Sequence, residues 1–412
     1  MIRIEAKVLI PGRGEPIDDG CVVLDGAAIA YAGARADAPP TEGAEVHQVP
    51  VVMPGLWDSH VHLFGLTSAN LADLVTIPPA AAGARAVKDL EAALNAGITS
   101  VREMGGIGIH LARVVADGTI PGPTIYAAGA ILSPTGGHGD IHAMPVQWVE
   151  DYGAHGGCLH LCDGVSACLK GVRSQLRLDA KLIKICASGG VLSEVDHPIH
   201  QQFSDAEIEA VVQEAARAER IVAAHCHGKP GIEACVRAGV RTIEHGTYLD
   251  DPTAALMKQH GAVLVTTHTI HSRVLDHGPR LGMPAYALEK MKVMVALQKK
   301  STQAALSAGV PIAAGTDSFS SGPGTVSPWG GHARELGYLV ASGMTPLQAI
   351  EAATANGPLT LGPQAPRSGQ LLEGYDADVI AVSDSPLNDI DVLADPAKIT
   401  QVWRAGQQVK GG

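Results

Sequence analysis

The chain has 412 residues, enough for one large core with accessory segments or for two domains. Its 42 acidic residues outnumber its 30 Lys and Arg residues, and the net charge of −12 argues against nucleic acid or an anionic membrane as partner. No apolar run approaches a transmembrane helix, and the first residues lack a signal-peptide layout, so we expect a cytoplasmic protein unless a signal segment has been removed.

Seven cysteines are scattered along the chain, and their odd number indicates free thiols in a reducing compartment rather than a disulfide framework. Cys158, Cys162 and Cys168 lie close in sequence to His155 and His160, which could suggest a zinc site. Their spacing matches no common zinc module, however. We therefore interpret the cysteines as ordinary free thiols.

The chain changes character near residue 50. Before it, short β segments are separated by Gly, Pro and Asp, which is typical of hairpins. After it, apolar runs alternate with segments of helical periodicity, which indicates a parallel sheet covered on both faces. Eight runs are predicted strands: 51–63, Thr99–Arg102, Thr124–Ala128, Leu182–Cys186, Ile221–Cys226, Thr242–His245, Ala262–His268 and Pro311–Asp317. Eight such repeats predict an α/β fold of the (β/α)8 TIM-like barrel type.

An open doubly wound sheet is the alternative, but Gly106 and Gly108 lack the third glycine of a dinucleotide-binding fingerprint. Beyond the barrel, strand character returns near the C-terminus, and these strands are expected to pair with those of the first 50 residues. We therefore predict a composite β-sandwich domain from residues 1–50 and 365–412, and a barrel hydrolase domain from residues 51–364.

Segments between the predicted strands carry two kinds of signal. Ser204–Glu207 is a capping box, so a helix is predicted to begin at Asp205. Ser133–Gly157 and Ser318–Gly331 are rich in glycine and are predicted to be long loops. Loops of this length in compact domains often act as functional lids.

Metal-ligand residue types occur at five predicted strand ends, where the catalytic residues of barrels lie. They are His60 and His62 on strand one, Lys184 on strand four, His225 on strand five, His245 on strand six and Asp317 on strand eight. Because side chains alternate along a strand, His60 and His62 share one face. Converging imidazoles and a carboxylate can bind a divalent cation. Together these strand ends predict a metal site.

Single residues of this set have simpler interpretations. His225 alone could be a hydrogen-bonded core residue, and Asp317 alone could cap a helix. Lys184 is flanked by core residues, and a buried unpaired ammonium is costly, so it needs a partner or a covalent change unless its head reaches water. Cys186 and Cys226 lie beside ligand candidates but are expected to point away from the site.

The order of these residues along the chain resembles that of the binuclear amidohydrolase superfamily. The segments Thr135–Asp140, Ile183–Gly190 and Thr242–Gly246 are similar to its metal-dependent prolidase and carboxypeptidase-like branch, which includes ochratoxinase-type amidases. The resemblance implies that Lys184 is carboxylated and bridges two divalent cations. It also implies that His60, His62 and Asp317 bind one cation and that His225 and His245 bind the other.

Further properties follow from the same resemblance. Nitrogen and oxygen ligands suit Zn²⁺, and also Mn²⁺, Co²⁺ or Fe²⁺. Asp317 is expected to act as the general base. His138 resembles the residue that receives the substrate's α-carboxylate, and His227 occupies the position at which several relatives carry a Tyr that contacts the scissile carbonyl. A homo-oligomer is expected, with an octamer among the options.

We therefore expect a binuclear metal-dependent hydrolase that cleaves the amide bond to a C-terminal amino acid in dipeptides or N-acyl amino acids, including ochratoxin-type amides. The alternative is a cyclic amide hydrolase, like imidazolonepropionase or dihydroorotase, or a deaminase. Deaminases of this superfamily usually have His-x-x-Glu after strand five, whereas here the third residue after His225 is Gly228. A non-catalytic scaffold with this fold would have lost metal ligands, whereas this chain keeps all six candidates. The sequence assigns no roles to four candidate pocket residues: His268, His271, Arg273 and Trp329.

Overall fold

In the computed structural model, which describes residues 1–411, strands and helices alternate through the central part of the chain. The strands are β1 Ile2–Leu9, β2 Ile17–Asp25, β3 Ala28–Ala34, β4 Glu45–Pro54, β5 Leu56–Leu66, β6 Ile98–Glu103, β7 Thr124–Ala127, β8 Ile131–Ser133, β9 Leu159–Leu161, β10 Ile183–Cys186, β11 Val222–Cys226, β12 Thr242–His245, β13 Val263–Thr266, β14 Ile312–Ala314, β15 Ser318–Ser320, β16 Val379–Val382, β17 Ile399–Arg404 and β18 Gln407–Lys410.

Twelve α-helices and several 3-10 turns connect these strands within residues 1–411. The helices are α1 Asp73–Thr76, α2 Pro79–Asn95, α3 Gly108–Ala116, α4 Val146–Ala154, α5 Val165–Arg177, α6 Asp205–Ala216, α7 Lys229–Ala238, α8 Asp251–Gln259, α9 His268–His277, α10 Ala285–Ala308, α11 Arg334–Ala341 and α12 Pro346–Ala352. The predicted capping box at the start of α6 is confirmed, because Ser204 and Glu207 each bond the other's backbone N–H.

The barrel has eight parallel strand positions, which we call staves. Six are β5, β6, β10, β11, β12 and β13, while β7 with β8 makes an interrupted third stave and β14 with β15 an interrupted eighth. Backbone bonds join the two sheets formed by these staves, from Lys181 N to Ala127 O at 2.8 Å and from Asp317 N to His60 O at 2.7 Å. The predicted barrel is confirmed, and all its strands except β7 are buried throughout, as expected when helices cover a parallel sheet.

Both ends of the chain contribute to a separate sheet outside the barrel, of seven strands, in the order β18-β17-β16-β4-β1-β2-β3. Strand β4 lies in its middle, parallel to β1 and antiparallel to β16. The predicted β unit built from both chain ends is confirmed, and its strands hydrogen-bond into one continuous sheet. The domain divisions at 50/51 and 364/365 stay predictions, and β4 runs across the first of them.

The predicted strand 51–63 is divided in the structure at Gly55. Strand β4 ends before this residue and belongs to the terminal sheet, whereas β5 begins after it and is the first stave of the barrel. A Cβ atom at Gly55 would overlap the side chain of Thr99. Glycine is therefore required where the chain passes closely from one sheet to the other, just before His60 and His62.

The two predicted long loops are only partly irregular, so that prediction was wrong in detail. Ser133–Gly157 contains helix α4, and Ser318–Gly331 begins with strand β15. Helix α4 buries only Val149, so its sequence carries little apolar periodicity. Strand β15 has only three residues, too few to show alternation.

Two features of composition can be compared with the structure. All seven cysteines are buried and free, which agrees with their interpretation as ordinary thiols. Within residues 1–411, no helix combines the length and the apolar character needed to cross a bilayer. The cytoplasmic location, the homo-oligomer and the absence of nucleic-acid or membrane partners stay predictions.

Candidate active site

Every site residue predicted from the sequence lies at one cavity at the C-terminal ends of the barrel strands. The cavity has an empty volume of about 840 Å³. The predicted residues that line it are His60, His62, His138, Lys184, His225, His227, His245 and Asp317. Because the parallel staves all end on this side, residues far apart in sequence converge here.

Three of these residues form a cluster of electron-pair donors. Nε2 of His62 lies 3.3 Å from Oδ1 of Asp317, and Nε2 of His60 lies 3.8 Å from the same oxygen. Nδ1 of His62 is 2.7 Å from the carbonyl oxygen of Gly105, and Nδ1 of His60 is 2.8 Å from a carboxylate oxygen of Glu244. Both acceptors require a proton on Nδ1, which leaves Nε2 of each ring as the atom that faces the carboxylate. A cation fits between such groups.

Three more imidazoles form a second cluster. Ring nitrogens of His225, His227 and His245 lie within 4.8 Å of one another, and His60, His245 and Asp317 make another such group. Burial is the main cause that holds the pKa of His225, His227 and His245 well below the usual value. The rings are therefore neutral, which is the form that ligates metal ions. His227 therefore lies among residues that could bind a metal ion, whereas the sequence predicted only a contact with the substrate carbonyl.

Lys184 lies between the two clusters and is almost completely buried, with 2% of its surface exposed. Its Nζ atom makes no hydrogen bond and no salt bridge with any residue of 1–411. Burial lowers the pKa of Lys184, which favours the neutral amine. A buried amine without a partner and with a lowered pKa fits the covalent change expected from the sequence, and the carbamate itself stays a prediction.

Three buried side chains next to the first cluster are linked by hydrogen bonds. We call them the floor network: His60, Glu244 and Arg102. Nη2 of Arg102 donates to both carboxylate oxygens of Glu244 at 2.7 Å, and both side chains are completely buried. Burial alone would raise the pKa of Glu244, but Arg102 and His60 lower it to about 2. An ionised carboxylate therefore orients the His60 imidazole, as second-sphere carboxylates do for metal-binding histidines.

The floor network was missed in the sequence because strand alternation places Glu244 and His245 on opposite faces. In the structure both contact His60: the Glu244 carboxylate by a hydrogen bond and the His245 ring at a centroid distance of 4.9 Å. His245 has φ = 69°, and this left-handed backbone ends the regular alternation. The available signal was an acidic residue, Glu244, and a basic residue, Arg102, inside predicted apolar strands.

Asp317 has the same unusual backbone, with φ = 57°. Non-glycine residues in this region cost free energy, and they concentrate at functional sites. Burial would raise the pKa of Asp317, but its polar neighbours, His62 first and then His60 and Lys184, together lower it. Asp317 is therefore a carboxylate that can bind a cation or accept a proton.

Apolar side chains form most of the cavity wall above these polar groups. They include Phe64, Ile131, Leu159, Ile270, Met291 and Phe319. The expectation that Cys186 points away was wrong, because Cys186 lies two residues after Lys184, shares its face and lines the cavity. Cys226 lies in the barrel wall, with Sγ 3.6 Å from the carbonyl oxygen of Gly228.

Of the four pocket residues without predicted roles, only His271 lines the cavity. Nε2 of His268 bonds Oγ1 of Thr302 at 2.9 Å, away from the cavity. Arg273 donates to backbone carbonyl oxygens near residue 326, and Trp329 is buried in the main core. These three residues therefore support the barrel and its last loop.

The amidohydrolase family matches this chain over residues 51–409. The chain belongs to this family. It is 43% identical to ochratoxinase from Aspergillus niger, over 99% of this chain and 86% of that protein. The crystal structure of A. niger ochratoxinase superposes with a TM-score of 0.91 at 42% identity, covering 100% of this chain and 95% of that one.

Two further solved structures are similar over the whole amidohydrolase chain. A prolidase complexed with N-methylphosphonate-L-proline has a TM-score of 0.90 and 32% identity, with 100% of both chains covered. A Xaa-Pro dipeptidase with bound methionine in its active site has a TM-score of 0.87 and 28% identity, again with 100% of both chains covered. The predicted branch of the superfamily is thus confirmed. The protein is a metal-dependent hydrolase acting on amide bonds.

Proposed function

We propose that this amidohydrolase cleaves the amide bond to a C-terminal amino acid with a free carboxylate, in N-acyl amino acids or dipeptides. The observation that carries the proposal is one cavity that combines a floor of converging cation ligands with a mostly apolar wall. Such a cavity can hold two apolar substituents on either side of a polar bond. The relatives support it: their names refer to ochratoxin, to prolyl dipeptides and to a bound proline phosphonate.

The predicted ligand set is part of the proposal. His60, His62 and Asp317 would hold one divalent ion, His225 and His245 the other. Lys184 would bridge them as a carbamate, formed when its neutral amine attacks CO2 and loses one proton. Bound Zn²⁺ or a similar ion supplies Lewis-acid activation of water and of the scissile carbonyl.

The chain's own groups would carry the proton chemistry. Asp317 would take a proton from the attacking water and pass it to the leaving amine nitrogen. Nδ1 of His227 lies 2.9 Å from Oγ1 of Thr247. If the Thr247 hydroxyl donates to Nδ1, the proton of the neutral His227 ring is on Nε2, which can donate to the substrate carbonyl oxygen.

The experiment compares matched substrates: an N-acyl amino acid with a free carboxylate and the same compound as its C-terminal amide. Charge-assisted hydrogen bonds to a carboxylate are about twice as strong as neutral ones. We expect the amide to have a kcat/KM lower by at least about tenfold, or 1.4 kcal/mol. Metal content should be measured on the same sample. Equal hydrolysis of acid and amide would reject the requirement for a free C-terminal carboxylate.

A further inference from the structure

A buried lysine that the proposed chemistry does not use lies beside the cavity. Lys290 on helix α10 has only 15% of its side chain exposed. Its Nζ atom donates to three backbone carbonyl oxygens, of Gly190 at 3.0 Å, Ser193 at 2.7 Å and Asp196 at 2.6 Å. All three belong to the segment that follows strand β10, the strand of Lys184. One side chain therefore fixes the path of this segment against α10.

The Asp196 carboxylate, 6% exposed, is the next part of the arrangement. Oδ1 accepts from the Ser193 hydroxyl at 2.5 Å and lies 3.4 Å from Nζ of Lys290. Oδ2 accepts from Nε2 of Gln202 at 2.7 Å and from the Gly190 N–H at 3.3 Å. Every one of these neighbours is a donor, so both oxygens of the Asp196 carboxylate act as acceptors.

The direction of these hydrogen bonds determines which ring nitrogen of His138 carries a proton. A serine hydroxyl has one proton, and Ser193 gives it to Asp196, so Ser193 can only accept at its other contact. That contact is Nδ1 of His138, at 2.8 Å. The ring therefore carries a proton on Nδ1. The backbone N–H of His138 also donates to Oε1 of Gln202 at 2.9 Å, so both ends of the residue are tied to Asp196.

The His138 ring occupies a narrow slot. It stacks on His225 with a centroid distance of 4.1 Å, and a Cβ atom added at Gly190 would overlap the ring. With Nδ1 held by Ser193, Nε2 is the ring nitrogen left for a ligand in the cavity.

We propose that Lys290, Asp196 and Ser193 are positioning residues that hold His138 with Nε2 toward the bound substrate. We call these four residues the rim network. The inference rests on the proposed function, because it assigns His138 the substrate contact expected there. It also extends the site to helix α10, because Lys290 is linked to His138 through Asp196 and Ser193.

The first measurement uses two lysines of the same helix. Lys290→Met removes the three carbonyl contacts, whereas Lys292→Met removes an exposed pair with Glu289 and serves as the matched control. We expect kcat/KM on the free acid to fall about tenfold for Lys290→Met and to stay within about twofold for Lys292→Met. Thermal unfolding measured on both variants separates a local effect from misfolding.

The decisive measurement is a double-mutant cycle between Ser193 and His138. Ser193→Ala removes only the hydroxyl, and Ser193→Thr keeps it. We expect Ser193→Ala to cost about tenfold in the unmodified background and less than about twofold in His138→Ala. Ser193→Thr should restore most of the loss, which a purely structural role would not predict.

Additive losses in this cycle would overturn the inference. The cycle is read on the free acid alone, without reference to how fast the amide is hydrolysed. A failure of the rim network is therefore distinguishable from a failure of the proposed function, which is tested by the unmodified enzyme's preference between acid and amide.

Discussion

Two buried networks each hold a histidine at the cavity, and they differ in construction. The floor network sets the Glu244 carboxylate directly against His60, and its members lie on barrel strands β5, β6 and β12. The rim network sets Asp196 against His138 through the hydroxyl of Ser193, and most of it lies in loops. The direct arrangement is completely buried on barrel strands, whereas the indirect one depends on the path of a segment that a single lysine holds.

This difference separates two tasks. Groups that hold cations must keep their geometry whether or not substrate is present, so strands are the suitable support. Groups that contact substrate vary with the substrate, and loops carry such variation. We therefore expect damage to the floor to remove metal and stability, and damage to the rim to change substrate kinetics alone.

The largest effect is expected where the clusters meet, at Lys184. Lys184→Ala removes the proposed bridging ligand, so metal content should fall well below two ions per chain and activity should be lost. Metal analysis and turnover on the same preparation test this. Short carboxylic acids added to the variant should restore part of the activity, because they can replace the missing anion. Full activity without them would exclude the carbamate.

A loss of at least about a hundredfold in turnover is expected for Asp317→Asn, in the range for losing a general base. The asparagine keeps an oxygen ligand and tolerates the left-handed backbone at this position. Metal content should therefore stay close to that of the unmodified protein. If metal and turnover fall in proportion, Asp317 is mainly a ligand and the base lies elsewhere.

The floor is tested by Glu244→Gln. Losing the carboxylate leaves Arg102 buried without a counter-charge, which typically costs about 3–5 kcal/mol of stability. It also removes the group that orients His60, for which we expect metal affinity to fall about 10–100-fold. Unfolding by urea and competition with a chelator measure the two effects. Unchanged metal affinity would show that His60 does not depend on Glu244 for its orientation.

Glu103→Gln is the matched control. Glu103 is as buried as Glu244, but burial raises its pKa to about 8, so it is protonated at neutral pH and glutamine resembles it. The stability it contributes is present below its ordinary pKa of 4.5 and is lost as the pH rises through about 8. The variant should therefore gain stability relative to the unmodified protein over this range. Tm measured across that range tests the sign.

The smallest effect is expected at the rim. Gly190→Ala places a methyl group against the His138 ring. We expect kcat/KM on the free acid to fall about tenfold while metal content is unchanged. Gly83→Ala is the control, because a Cβ atom at this position of α2 meets no neighbour. A loss of metal in Gly190→Ala would mean that rim and floor are not independent.

The barrel and the position of the ligand-type residues could be predicted because the topology alone determines which strand ends meet. Once eight parallel strands are recognised, their ends must meet, so residues such as His60 and Asp317 converge without knowledge of any contact. The predictions failed where the backbone leaves the regular pattern. The left-handed backbone of His245 ends the regular alternation, so Glu244 contacts the site although alternation predicts that it points away. Helix α4 was missed because only one of its side chains is buried.

The rim network could not be predicted for a different reason. Lys290 lies on a long helix with many other polar positions, and Asp196 lies in an irregular segment, so neither pattern nor spacing links them. Their contact depends on how the segment after β10 folds against α10. Only the three-dimensional structure specifies that path.

The central position of β4 in the terminal sheet also affects synthesis on the ribosome. One neighbour, β1, is translated before β4. The other, β16, begins at Val379, more than 300 residues after β4 ends at Pro54. At typical translation rates this interval lasts roughly 16–65 s. During it the nascent chain presents an open strand edge next to its ligand-bearing first stave, and such edges invite pairing with other chains. Production of this protein should therefore benefit from slower initiation or from chaperones that shield nascent strands.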